Sequence, residues 1–197
     1  MKRQIAIAAS VLLMACNSSN QNKKAPVADN NPSFDAYKES FIEELWKMNP
    51  GWASSLGYHK YDNVLLVPDE AQRRQQLTFA ASNLDSLKKF EINSLSDNNK
   101  TDYLMMENYL KGVEFGINQE KSFQWDPSAY NISGGFAEMI ANNYDTIDTR
   151  LRNLYLKMEN IPAYYEAAKK NISNPTAEHT QLAIDQNIGG LSVFEKD

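Results

Sequence analysis

Apolar residues in this chain recur mostly at the three- and four-residue spacing of an α-helix. From Ser33 onward, five large apolar side chains share one helical face: Phe34, Tyr37, Phe41, Leu45 and Met48. Asn49-Pro50 ends this helix, because the residue before a proline avoids helical dihedral angles. Pro50 also suits the first turn of a short second helix, and Gly57 suits its end.

Two longer helices follow a non-periodic stretch at residues 57–67. We expect the first to begin at Pro68, with acidic residues in its first turn, where carboxylates favour the positive end of the helix dipole. Its predicted inward face is Leu77, Ala80, Ala81, Leu84 and Leu87. We expect Asp97 to cap the next helix. The predicted inward face of that helix is Tyr103, Met106, Leu110, Val113 and Ile117.

The second half of the chain continues the helical pattern after a predicted loop at residues 123–135. We expect helices at about 136–142 and 146–159, another opened by Pro162, and a last one from Ala177. The predicted inward face of the 146–159 helix is Ile147, Leu151, Leu154 and Met158. No strand alternation is sustained, so the sequence predicts an all-α, antiparallel array of helices.

The N-terminus has the order of a secretory signal peptide: positive residues, then an apolar stretch, then a small residue. The apolar stretch, Ile5 to Ala15, is shorter than the roughly 20 residues of a membrane-spanning helix. Leu13-Met14-Ala15-Cys16 resembles the lipobox of bacterial lipoproteins. The resemblance implies cleavage before Cys16 and attachment of acyl chains to this residue. Several acyl chains would hold the protein stably on a bilayer.

Three segments follow from this interpretation. Residues 1–15 are the predicted signal peptide, residues 16–32 the lipid anchor and a flexible tether, and residues 33–197 a helical domain. The expected location is the bacterial cell envelope, lipid-anchored and extracytoplasmic, on the periplasmic or outer-membrane face. Cys16 is the one cysteine, so no disulfide can form within the chain. The net charge is −5 and no basic stripe is present, which argues against a nucleic-acid partner.

Catalytic and metal-binding patterns are missing from the sequence. His59 and His179 are far apart, and neither lies in a His-Glu-x-x-His motif, so we assign no catalytic residue, metal ligand or cofactor to this chain. Asp35, Glu39 and Glu43 recur at four-residue spacing opposite an apolar stripe. This spacing is typical of a solvated helix face.

The loop "GYHKYD" at residues 57–62 is the strongest candidate for binding contacts. It places Tyr58, His59, Tyr61 and Asp62 between helices, where loops often carry binding groups. The alternative is structural: the two tyrosines anchor the loop, and Asp62 accepts backbone hydrogen bonds at a turn. Tyrosines further along could line a groove or pack between helices: Tyr103, Tyr109, Tyr155, Tyr164 and Tyr165.

Residues 45–70, "LWKMNPGWASSLGYHKYDNVLLVPDE", resemble the opening of the bacterial family called domain of unknown function 885. The shared features are Asn49-Pro50, Leu56-Gly57 and Tyr61-Asp62. Residues 150–172, "RLRNLYLKMENIPAYYEAAKKNI", are similar to a later stretch of the family with repeated arginines followed by Ile-Pro and an aromatic residue. The resemblance extends over most of residues 33–195.

This resemblance implies a large, mostly helical fold of the zinc-metallopeptidase kind, of which the chain forms the N-terminal portion. Full-length relatives are expected to hold zinc and to act on peptides through residues that have no counterpart here. Our leading hypothesis is therefore the N-terminal helical part of a membrane-anchored, extracytoplasmic hydrolase, inactive by itself. Such a fragment should expose apolar surface. The alternative is a complete, non-enzymatic helical lipoprotein that binds a partner or ligand through a tyrosine-rich face.

Overall fold

A computed structural model describes residues 31–195 of the chain, apart from the side chain of Phe194. The predicted signal peptide, the predicted lipidation site Cys16 and the predicted tether up to residue 30 lie outside the described residues. Within residues 31–195 there are nine α-helices and no strand, which confirms the all-α prediction. The helices are α1 (Asn31–Met48), α2 (Pro50–Ser55), α3 (Glu70–Leu87), α4 (Asp97–Phe115), α5 (Ser122–Trp125), α6 (Ser133–Ala141), α7 (Ile147–Met158), α8 (Ile161–Asn171) and α9 (Ala177–Glu195).

Most helix ends lie within two residues of the predicted positions. Helix α3 begins at Glu70 rather than Pro68, because the Asp69 carboxylate accepts a hydrogen bond from the Gln72 backbone N–H at 2.8 Å. Helix α4 is capped by Ser96 and not by Asp97, which is its first helical residue. Gly57 follows α2 with a φ of 85°, a left-handed conformation that only glycine adopts without strain.

The segment predicted as a loop at residues 123–135 is mostly helical turns. It holds the end of α5, a 3₁₀ turn at Pro127–Tyr130 and the start of α6 at Ser133. The prediction was wrong here because these elements are short and pack around aromatic side chains. Tyr130 is buried and donates a hydrogen bond to the Phe123 carbonyl at 2.8 Å.

The first of two packed regions, which we call the N-terminal bundle, consists of α1, α3 and α4. Its buried core is Phe34, Phe41, Leu45, Ala80, Leu87, Leu95, Met106 and Leu110. The predicted inward faces of α1 and α4 are confirmed for their buried members and for Tyr37, Tyr103 and Val113, which pack around this core. The last predicted members, Met48 and Ile117, are only half-buried, and Ile117 lies beyond the end of α4. On α3 the prediction holds for Ala80 and Leu87 but is wrong for Ala81, which is exposed. The bundle therefore follows its apolar pattern closely.

The second region, which we call the C-terminal half, contains α5 to α9 and has a smaller apolar core. Its buried apolar residues are Tyr130, Phe136, Met139, Ala167, Ala168 and Ala183. Helix α9 packs on α6 and on the turn at 127–130. A methyl group at Gly190 of α9 would lie only 2.8 Å from the Ser133 Oγ of α6. The two helices therefore approach each other through a residue without a side chain.

Polar side chains connect the N-terminal bundle to the C-terminal half. Arg73 of α3 donates to the Asn171 Oδ1 of α8 at 3.0 Å and to the Pro68 carbonyl at 3.1 Å, and its guanidinium stacks 4.3 Å from the Phe123 ring centre. Asn171 in turn donates to the Pro68 carbonyl at 2.6 Å and to the Tyr130 hydroxyl at 3.1 Å. Hydrogen bonds and a cation–π contact thus fix the end of α8 against the start of α3.

Membrane-spanning potential is missing from this part of the chain. No helix within residues 31–195 combines the length and the apolar character needed to cross a bilayer.

Candidate functional site

The loop at residues 58–62 is fastened to helix α1 through Glu43. The Tyr58 hydroxyl donates to Glu43 Oε2 and the Tyr61 hydroxyl to Glu43 Oε1, each at 2.5 Å. Lys60 forms an ion pair with the same carboxylate. Glu43 therefore acts as a shared acceptor for three donors of one loop, whereas the sequence pattern indicated only a solvated helix face.

These donors change the acid–base behaviour of Glu43. Hydrogen bonds from Lys60, then from Tyr58 and Tyr61, lower the Glu43 pKa to about 2. The same contacts raise the pKa of both tyrosines. The tyrosines thus serve to anchor the loop in this structure, and they do so on the polar face of α1.

The other two candidate residues of the loop point toward the α6–α7 connection. Asp62 is 1% exposed, and its Oδ2 lies 3.0 Å from His59 Nδ1. The His59 ring stacks on the Tyr144 ring, with centroids 3.5 Å apart and planes 6° from parallel. The predicted backbone bonds to Asp62 are replaced by this side-chain contact. Within residues 31–195, Asp62 Oδ1 and the buried Tyr144 hydroxyl have no hydrogen-bond partner in suitable geometry.

Tyr144 is held in its neutral form by this environment. Burial raises the Tyr144 pKa well above its usual value, and the neighbouring Asp62 carboxylate raises it further. The loop and the α6–α7 connection therefore meet in a buried polar cluster.

Helix α7 completes the cluster with a buried face that carries charge. Arg150 is only 6% exposed, and its Nη1 donates to the carbonyls of Met139, Ile140 and Asn142 at 3.2, 3.0 and 2.6 Å. Its Nη2 donates to Asn143 Oδ1 at 3.0 Å. The last carbonyls of α6 have no partner inside their own helix. The guanidinium supplies the missing donors and places a positive charge at the negative end of the helix dipole.

Lys157 lies one heptad beyond Arg150 on the same buried face. It is 5% exposed, and its Nζ lies 3.9 Å from the Met139 sulfur and 5.6 Å from the Phe136 ring centre. Within residues 31–195, no carboxylate oxygen approaches this nitrogen within 4.0 Å. Burial lowers the Lys157 pKa, while the negative charges of Asp62 and Glu138 oppose the shift.

The opposite face of α7 is apolar and faces solvent. The predicted inward face was therefore wrong for Ile147, Leu151 and Met158, whereas Leu154 is half-buried. Four side chains at spacings of four, four and three residues form what we call the α7 stripe. They are Ile147 (55% exposed), Leu151 (52%), Tyr155 (64%) and Met158 (38%). The physical reason is that the carbonyls at the end of α6 need hydrogen-bond donors. Arg150 supplies them, and this contact turns the face of α7 that also carries Lys157 inward.

Helix α9 presents a second exposed apolar row, which we call the α9 stripe. It consists of Ile184, Ile188 and Leu191, each about half exposed or more. An apolar pocket of about 530 Å³ lies between the ends of the two stripes. Its apolar lining is Ile132, Met158, Ile161, Tyr165, Ile188 and Leu191. Met158, Ile188 and Leu191 therefore belong both to a stripe and to the pocket wall, so the surface is continuous.

The two histidines do not meet in the structure. His179 Nδ1 lies 2.6 Å from Thr176 Oγ1, and the His179 ring packs edge-on against Trp125 at 5.2 Å, whereas His59 lies against Tyr144. Residues 31–195 contain no group of three histidine, cysteine or acidic side chains that could hold a metal ion. The residues described thus do not fit the zinc centre implied by the sequence resemblance, which requires three or four converging ligands.

Most of the chain matches a known protein family. Residues 50–197 match the family described as "Bacterial protein of unknown function (DUF885)". The chain belongs to this DUF885 family. The match includes the loop at 58–62, the charged face of α7 and both apolar stripes, so all of these features lie inside the family region.

A solved structure from Shewanella oneidensis, a provisionally assigned lipoprotein of unknown function, is similar to this DUF885 chain. The two share 47% sequence identity with a TM-score of 0.81, and the similarity covers 83% of this chain. It covers only 30% of the Shewanella protein, so this chain spans less than a third of that relative's length. No curated protein matches the chain.

Sequence reasoning missed the three residues that form the inner part of the cluster: Tyr144, Arg150 and Lys157. Charged residues opposite an apolar stripe normally lie in solvent, so their pattern indicated exposure. One signal did single out Arg150, since it opens the 150–172 stretch that resembles the family. The four loop residues proposed as binding contacts remain a prediction.

Proposed function

We propose that this chain is the N-terminal helical part of a membrane-anchored, extracytoplasmic hydrolase of the zinc-peptidase kind. The observation that carries the proposal is the relation to the Shewanella lipoprotein. High identity and a shared fold extend over most of this chain, yet over less than a third of the relative. A helical unit that reproduces part of a larger lipoprotein is suited to supply an anchor and structural helices.

The chemistry of the proposed hydrolase is assigned to polypeptide other than residues 31–195. The described side chains bring no three potential metal ligands together, and the proposal gives them no catalytic step. Their role in the proposal is structural: the N-terminal bundle gives a stable core, and the C-terminal half presents an apolar surface. The peptidase class rests on the sequence resemblance of residues 45–70 and 150–172.

The anchor is tested by metabolic labelling of the full chain in a bacterial host with an alkyne-tagged fatty acid. We expect label in the wild-type protein and none in Cys16→Ser, because a hydroxyl does not replace the thiol that accepts the diacylglyceryl group. Equal labelling of both proteins would contradict lipidation at Cys16.

The hydrolase assignment is tested with a chimera in which this chain replaces the matched region of the Shewanella protein. We expect the chimera to hydrolyse unstructured peptides and to lose this activity with a chelator, whereas the full chain alone should not. Peptide hydrolysis by the chain alone, or a folded chimera that lacks chelator-sensitive activity, would overturn the assignment.

A second candidate function is ligand binding by a non-enzymatic lipoprotein, and the pocket beside Tyr165 favours it. The pocket is mostly apolar with a few polar groups at its edge, as small-molecule sites usually are. The Tyr165 hydroxyl donates to Asn187 Oδ1 at 3.3 Å across its wall. Native mass spectrometry of the full chain would test this function. A retained apolar molecule that Met158→Glu displaces would support it.

A further inference from the structure

We propose that the α7 stripe and the α9 stripe form one docking surface for the polypeptide that a full-length DUF885 protein has in addition to this chain. This inference rests on the proposed function and deepens it, since it names the surface and the partner. The partner is the portion of a protein such as the Shewanella lipoprotein that lies outside the matched region. It is expected to present apolar side chains to the stripes.

The first argument is that the exposure of the α7 stripe is enforced by the opposite face. Arg150 donates to two carbonyls of α6, to the Asn142 carbonyl just after it and to the Asn143 side chain, and Lys157 is enclosed against Phe136 and Met139. Rolling the helix to bury Leu151 would break every one of these contacts and leave the enclosed carbonyls at the end of α6 without donors. Burying apolar side chains at that cost is unfavourable, because an unsatisfied buried polar group costs more than one apolar contact returns.

The second argument is continuity. The two stripes lie on different helices, yet both reach the pocket of about 530 Å³ through Met158, Ile188 and Leu191. Extended apolar surfaces with a concave centre and polar groups at the edge are typical of interaction sites. The pocket would accept large apolar side chains of the partner, while Asn187 and Ser133 lie at its edge.

The third argument concerns the identity of the partner. The similarity covers 30% of the Shewanella chain, so most of that protein is available to cover a surface on the shared part. Both stripes lie inside the matched region of the family. A second copy of this chain is the competing occupant, and the test separates the two.

The test is co-expression of the full chain with a tagged segment of the Shewanella protein that lies outside the matched region. We expect a one-to-one complex. The double variant Leu151→Glu/Ile188→Glu should weaken the apparent affinity by about tenfold or more, because a charge is then buried at the centre of the interface. The matched control is Met105→Glu, an exposed position on α4 (66%) outside both stripes, and we expect it to leave binding unchanged.

A second measurement does not depend on the stability of the double variant. A benzophenone side chain at position 155, which is 64% exposed, should cross-link to the Shewanella segment, and one at position 105 should not. Failure to cross-link at 155, equal cross-linking at 105, or full binding by a folded double variant would overturn the proposal. Self-association of the wild-type chain that Leu151→Glu abolishes, without binding to the segment, would also overturn it.

The docking proposal and the proposed function can fail separately. An active chimera whose separate parts do not associate would leave the hydrolase assignment in place and overturn the docking surface. Association of the parts together with a folded but inactive chimera would leave the surface in place and overturn the hydrolase assignment.

Discussion

Helices α4 and α7 carry the same kind of apolar stripe and bury opposite faces. In α4 the stripe through Met106 and Leu110 packs against α1 and α3. In α7 the stripe through Leu151 and Tyr155 faces solvent, and Arg150 and Lys157 are buried instead. The periodicity of a helix therefore identifies its apolar face, but its neighbours decide whether that face is covered.

The helices that pack against α4 and α7 present different chemical groups to them. Helices α1 and α3 present apolar side chains to α4, so burial of apolar area is the largest available gain. Helix α6 presents its unsatisfied C-terminal carbonyls to α7, and only a hydrogen-bond donor can satisfy them. A cation at that end of α6 also interacts favourably with its dipole. The exposed stripe of α7 follows from this local requirement.

The largest expected effect is the loss of stability on truncating a leucine of the α4 stripe, and the same truncation on the α7 stripe is its matched control. Leu110→Ala removes a fully buried side chain from the core of α4, and we expect the free energy of unfolding to fall by about 2 to 5 kcal/mol. Leu151→Ala on the exposed stripe of α7 should change it by less than about 0.5 kcal/mol. Urea unfolding of the full chain measures both. Equal losses would show that the α7 stripe is covered in solution.

Removal of the buried guanidinium should have the next largest effect. Arg150→Met eliminates the donors to three carbonyls at the end of α6 and just after it, and we expect a loss of about 2 to 3 kcal/mol in the free energy of unfolding. Arg152→Met, on the exposed side of the same helix, is the matched control and should cost less than about 0.5 kcal/mol. If both variants unfold at the same urea concentration as the wild type, Arg150 does not determine the orientation of α7.

Lys157→Met should raise the free energy of unfolding at neutral pH by about 1 kcal/mol. Burial lowers the Lys157 pKa more than its negative neighbours raise it, so the charged form is disfavoured in the folded protein. In the wild type the unfolded state then binds more protons than the folded state between the lowered pKa and 10.5. Stability should therefore rise with pH through this window.

The methionine variant should lack the alkaline rise, whereas the exposed Lys170→Met should retain it. Urea titrations at neutral pH and at two alkaline pH values provide the measurement. A lower stability of Lys157→Met at every pH would contradict a net cost of the buried charge.

The smallest effect is expected at Glu43. Its pKa is lowered to about 2, so it stabilises the fold above the ordinary value of 4.5, and this contribution is lost as the pH falls from 4.5 toward 2. Glu43→Gln should therefore unfold with a weaker dependence on acid pH, and its difference from the wild type should be greatest at neutral pH. Glu39→Gln, on the exposed face of the same helix, serves as the control. Parallel acid-unfolding curves for wild type and Glu43→Gln would refute the anchoring role.

The sequence predicted the N-terminal bundle well because its helices bury their apolar faces against one another. On α1, Phe34, Phe41 and Leu45 were expected inside and are buried. The turn chemistry of Asn49-Pro50, Gly57 and Pro162 placed the helix boundaries within about two residues. Turn residues act on the backbone next to them, and apolar burial follows the helical spacing of apolar residues. Both can be read from the sequence.

The candidate site could not be predicted to the same extent, because its contacts join segments far apart in the sequence. Nothing local indicates that His59 stacks on Tyr144, or that one carboxylate of α1 accepts from Tyr58 and Tyr61. The inverted burial of α7 likewise depends on the position of the end of α6. Such contacts can be predicted only when the tertiary arrangement of the helices is known.

Helices α9 and α6 approach each other so closely at Gly190 that this position has no room for a side chain. A methyl group there would come within 2.8 Å of Ser133 Oγ and 2.9 Å of Ser133 Cβ, so even alanine would push the two helices apart and change the width of the adjoining apolar pocket. Gly189 and Gly190 each make the helical conformation of α9 about 1 kcal/mol less favourable than alanine would. The helix therefore has a lower intrinsic stability than an alanine-containing helix would have. The width of the adjoining pocket depends on the hydrogen atom that Gly190 carries in place of a side chain.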